Sequence, residues 1–96
     1  MKTFWASLCY KGAHGGGLYL KEDHLEFRTN KLQLPADKRR MRVDYKDIVA
    51  MERSQAIRLF PAVTLTTSSG EAIKFILFNR NTFINQLKMN GVVSAG

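Results

Sequence analysis

The densest chemistry in this chain is cationic. Lys38-Arg39-Arg40-Met41-Arg42 puts four basic side chains into five positions, with Lys46 close behind. A guanidinium is planar and presents paired donors that fit phosphate or carboxylate oxygens, so the run is a candidate anion-binding face. At a strand's period of two, Arg40 and Arg42 share one face while Met41 and Val43 point the other way. Lys38 and Arg39 fall in the loop before that strand, and Lys11, ahead of a glycine run, can join them. The same charges also suit a sheet edge, where they discourage edge-to-edge pairing. Spacing alone does not separate the two roles.

Other reactive residue types are scattered. Cys9, His14 and His24 form neither an HxxxH nor a CxxC spacing, so no metal site is expected. No serine or cysteine can be matched with a base and an orienting acid, so no catalytic residue and no cofactor are assigned, and the chain reads as non-enzymatic. Gly15-Gly16-Gly17 lacks the GK[ST] ending of a phosphate-binding loop, and residues 12–17 read as a flexible connection. Cys9, among strand residues, reads as a small core filler.

A second candidate contact is apolar: Ile57, Leu59 and Phe60 surround Arg58 just before Pro61. Magnitude gives it importance. Four cations at ~1 kcal/mol each beside an anionic membrane supply about 4 kcal/mol. That corresponds to a dissociation constant of roughly 1 mM, so charge needs a second anchoring element.

The elements that would position these groups are strands. Phe4, Ala6, Leu8 and Tyr10 alternate on one face of a first strand, with Trp5 and Cys9 opposite, which suggests cover on both sides. Residues 17–21 and 24–30 form a hairpin around Glu22-Asp23, and 30–37 is irregular. Residues 40–45 and 48–53 give two more strands, and Pro61 ends the ambiguous stretch that follows. Val63 and Leu65, then Ile73, Phe75 and Leu77, flank the turn Thr67-Ser68-Ser69-Gly70. Phe83, Ile84 and Leu87 then switch to helical spacing, with Asn79 or Asn81 as start and Asn90-Gly91 as stop. Phe27, Phe75 and Phe78 fall within the apolar alternation and are expected in the core.

The pattern therefore predicts a mainly β fold: a seven-stranded curled antiparallel sheet or barrel capped by one C-terminal helix. Ninety-six residues make a single domain, expected over 1–91 with 92–96 a flexible tail. One cysteine excludes an internal disulfide, and no apolar run reaches the ~20 residues of a membrane span. A reduced, cytoplasmic setting is expected, with peripheral membrane association open. The net charge of +7 favours anionic partners.

Three segments in order carry a resemblance: KGAHGGGLYLKEDHLEFRTNKLQL, VDYKDIVAM and FPAVTLTTSSGEAIKFILFNRNTFINQL. Together they resemble a bacterial GRAM domain of the pleckstrin-homology-like superfold over about residues 8–88. The resemblance implies a seven-stranded curled sheet with a C-terminal helix, in a family of adaptors that bind lipids or peptides. The loop from Lys11 to Gly17 lacks the Lys…(Lys/Arg)-x-Arg pattern of lipid-binding pleckstrin-homology domains, so no phosphoinositide residue is carried over.

The expected function is a binding module whose face of Lys11, Lys38, Arg39, Arg40 and Arg42 engages an anionic membrane surface or an acidic protein. An adaptor or homo-oligomer using an exposed strand edge is the alternative. Nucleic-acid binding, with Trp5 and Tyr19 as stacking platforms, comes third.

Overall fold

The structure, a computed structural model, describes residues 2–92. Alternating apolar residues set the strands: β1 (Lys2–Cys9) buries Phe4, Ala6 and Leu8, and β2 (Ala13–Leu20) buries Leu18 and Leu20. β3 (His24–Arg28) and β4 (Arg40–Asp44) follow, separated by a loop and the single turn α1 (Ala36–Arg39). β5 (Ile48–Gln55), β6 (Pro61–Thr67) and β7 (Ala72–Ile76) complete the sheet, and α2 (Arg80–Met89) closes the chain. All neighbours are antiparallel, in the order β4-β3-β2-β1-β7-β6-β5, with β4 and β5 as unjoined edges.

One core fills the curl. Phe27 and Phe75 meet across it with ring centroids 5.4 Å apart, and Phe83 of α2 stands edge-on to Phe4 at 5.5 Å. Phe83, Ile84 and Leu87 are the buried face of α2, as the helical spacing predicts. Tyr45 fastens the opposite side: its hydroxyl donates to the Lys21 carbonyl at 2.7 Å and accepts from Asn90 at 3.4 Å.

The seven strands and terminal helix agree with the expected architecture, and four local readings change. Residues 13–17 belong to β2 and are not a loop; Gly15, Gly16 and Gly17 pair in register with Ser7, Ala6 and Trp5. Gly16 is required by packing, because a Cβ there would sit 2.5 Å from the Arg28 carbonyl oxygen and 2.8 Å from the Phe27 ring. Pro61 opens β6 opposite Gln55 as the first residue of the strand, a position that tolerates proline, and its carbonyl accepts from Leu77 N–H. Trp5 is 86% exposed and Phe78 71% exposed, so neither lies under cover. Trp5 points to the outer face of β1, opposite the buried Phe4 and Ala6, and Phe78 lies beyond β7, which ends at Ile76.

Val92 is the fourth. Gly91 at φ +95° ends α2 with Gly91 N–H donating to Lys88 O and Val92 N–H to Leu87 O, a Schellman stop. That turn sends Val92 back into the core, where it is buried. Residues 93–96 of the expected tail lie outside the described residues.

Candidate functional site

The cationic residues singled out by sequence divide between two surfaces. Lys38, Arg40 and Arg42 line a cleft between β4 and the β6–β7 turn, but Asp37, Asp44, Asp47 and Glu71 stand on the same walls. Lys38 Nζ lies 3.3 Å from Glu71, and Arg42 Nε donates to Asp44 at 2.9 Å. Asp44 is the main reason the Arg42 guanidinium is held more firmly protonated than usual. Lys11 and Lys38 each place an ammonium near the Tyr10 ring, at 5.6 and 5.7 Å from its centroid. This cleft is of mixed sign, so Lys11, Lys38, Arg39, Arg40 and Arg42 do not form one basic face.

Arg39 and Arg40 reach a different groove, together with Arg28, which sequence reasoning passed over. Three arginines and Leu32 line it, no carboxylate does, and its volume is about 570 Å³. Arg28 and Arg40 are direct partners across β3 and β4. Arg39 comes from α1 and is half-buried, with its Nε buried and lacking a hydrogen-bond partner among the described residues. The loop is tied down by Thr29, whose hydroxyl donates to Gly15 O at 2.8 Å and whose N–H donates to Arg39 O at 2.9 Å. Leu32, 81% exposed, stands at the rim.

Arg28 is positioned by its neighbours on both sides. Its Nε donates to Glu26 at 2.9 Å, Nη2 bonds the same carboxylate, and the guanidinium lies 5.1 Å over the Tyr19 ring. Tyr19 in turn covers Gly17, a Cβ on which would approach the ring to 3.1 Å. Glu26 is also bonded by His24 Nε2 at 3.0 Å, while His24 Nδ1 donates to Asp23 at 2.6 Å. These two carboxylates, Asp23 foremost, raise the His24 pKa, and His24 with Arg28 lowers Glu26 to about 2.

A second acid-free groove of about 660 Å³ continues from the first, sharing Arg28, Thr29 and Asn30. Its floor is the glycine strand beside Ser7, and Trp5, Tyr19, Ile76 and Phe78 supply its apolar walls. Phe78 packs edge-on to Phe60, centroids 5.6 Å apart. Of the expected apolar loop, Leu59 is 72% exposed and Phe60 is partly exposed, and Arg58 and Leu59 hold φ of 59° and 62°. Ile57 begins that turn; its side chain lies outside the described residues. Cys9 is half-buried, and burial pushes its thiol pKa up against the pull of Lys74.

Two signals in the sequence pointed toward this surface: Arg28 at an outward strand position, and three glycines where a strand could approach closely. Among the described residues, no three His, Cys, Asp or Glu side chains gather as metal ligands, and no helix is long and apolar enough to cross a membrane.

No family model matches the chain, and no curated protein matches it. Among solved structures, the C-terminal domain of an unknown protein from Leishmania infantum is similar, with a TM-score of 0.77 and 15% identity. The match covers 94% of this chain and 81% of that one, and it shows the fold alone.

Proposed function

We propose that this protein is a non-enzymatic binding module that docks on anionic lipid head groups through the groove of Arg28, Arg39 and Arg40. One observation carries the reading: Arg28, Arg39 and Arg40 line a groove whose walls hold no carboxylate. Of the three only Arg28 is ion-paired among the described residues, with Glu26, and Arg28 lies directly opposite Arg40 across β3 and β4. Like charges directly opposite destabilise a sheet, so the pairing is an asset once a phosphate bridges them. The resemblance to bacterial GRAM domains, whose relatives include lipid-binding adaptors, supports the same class. Leu32 beside Lys31 gives an apolar tip with a basic collar, suited to the boundary between head groups and acyl chains.

Vesicle flotation tests it, with neutral and anionic lipids at low and moderate salt. Binding is expected to anionic vesicles only and to weaken as the Debye length shrinks. Replacing Arg39 and Arg40 together by Gln removes about 2 kcal/mol, roughly a 30-fold loss, while Arg28, whose charge Glu26 already balances, adds little. Lys38→Gln, whose charge Glu71 already balances, is expected to cost far less. Equal losses from both variants, or equal binding to neutral vesicles, contradict the proposal.

A further inference from the structure

We infer that Trp5, Leu59, Phe60 and Phe78 form one lipid-inserting surface, which orients the module with the outer side of β1 and the end of β7 against the bilayer. This rests on the docking proposed above and adds the apolar anchor and the orientation. Single exposed apolar residues need no explanation, but these four are contiguous. Phe60 touches Phe78, Phe78 and Trp5 wall one groove, and Leu59 neighbours Phe60 at the tip of the β5–β6 turn.

The surroundings select a lipid surface as the occupant. No carboxylate lines the groove, and Arg28 and Lys31 stand on its rim. Lys74 donates to Gln55 O and Arg80 donates to Ser54 O at 3.0 Å, which places two more cations at the end of β5, where the turn that carries Leu59 and Phe60 begins. An exposed tryptophan with phenylalanine, leucine and a cationic border is the composition that settles at a membrane interface. The groove is also continuous with the arginine groove through Arg28, Thr29 and Asn30, so head-group binding and insertion face the same bilayer. Charge alone leaves affinity near the 1 mM scale, and each inserted side chain multiplies it by about ten-fold or more.

Trp5 is the only tryptophan in the chain and reports on its own insertion. Mixing the protein with anionic vesicles is expected to shift Trp5 emission to the blue, with quenching by lipids brominated high on the acyl chain. Leu59→Ser and Phe78→Ser are expected to weaken vesicle affinity about ten-fold each, with the thermal midpoint unchanged for Leu59→Ser and slightly lowered for Phe78→Ser, which loses the Phe60 contact. Flotation with unshifted, unquenched Trp5 emission overturns the insertion while leaving the arginine docking intact; loss of both overturns both. Two further outcomes also overturn it. One is Trp5 quenching by a single-stranded oligonucleotide that displaces vesicles. The other is a blue shift without lipid that grows with protein concentration, which means that a second copy covers the surface.

Discussion

Arg28 and Arg40 face each other across β3 and β4 while Glu26 neutralises only one of them. Arg40→Gln is therefore expected to raise stability by about 0.2–1 kcal/mol in urea denaturation, and to weaken vesicle binding. A loss of both stability and binding would mean that Arg40 supports the fold and not a ligand. His24 sets the pH response of the same face. Its folded pKa lies above the ordinary 6.5, so its contribution is complete below 6.5 and fades as pH rises through the raised value. Glu26, lowered from 4.5 to about 2, contributes above 4.5 and loses its effect as pH falls toward 2. Stability is expected to peak between those limits, and His24→Gln is expected to remove the decline on the alkaline side. An NMR titration that places His24 at or below 6.5 contradicts this.

Among the elements, β2 shows where the sequence was legible and where it was not. Leu18, Leu20, Leu25 and Phe27 announce the β2–β3 hairpin through plain alternation. Gly15 to Gly17 look like a loop because glycine has poor strand propensity. Only the close approach of Phe27 and the Arg28 carbonyl shows why the strand needs a glycine at Gly16. Gly16→Ala is accordingly expected to cost about 1–3 kcal/mol by overpacking, read in thermal or urea melts. Phe78 is out of phase with its neighbours: Ile73, Phe75 and Leu77 keep the inward parity at period two, which leaves Phe78 facing outward. Trp5 sits in good alternation, opposite buried Phe4 and Ala6, and its exposure reflects that nothing packs over the outer face there, which local pattern does not encode. The basic run was only partly legible as a face: Asp44 shares the parity of Arg42 on β4 and balances it, but Glu71 arrives from the distant β6–β7 turn to balance Lys38. The β5–β6 turn holds Arg58 and Leu59 in the left-handed region, at a cost of about 1–3 kcal/mol each. Leu59→Gly is thus expected to leave stability unchanged or improved while reducing vesicle affinity. Destabilisation would show that Leu59 is a packing residue.

At the scale of the molecule, a +7 chain lines two adjoining grooves without a carboxylate, with Glu26 pairing the Arg28 they share, and concentrates four carboxylates in the mixed cleft beside β4. The docking proposal rests on that segregation more than on the net charge. The sheet supplies the rigid frame, because β1, β2 and β3 are paired in continuous register beneath the arginines and the aromatic walls. The most direct measurement is an amide and indole NMR map with anionic against neutral nanodiscs. Broadening is expected at Arg28, Lys31, Leu32, Arg39 and Arg40, at the Trp5 indole, and at Leu59 and Phe60, with anionic discs only. Perturbation confined to Lys38, Arg42 and the β6–β7 turn, or the same map with neutral discs, would contradict the account.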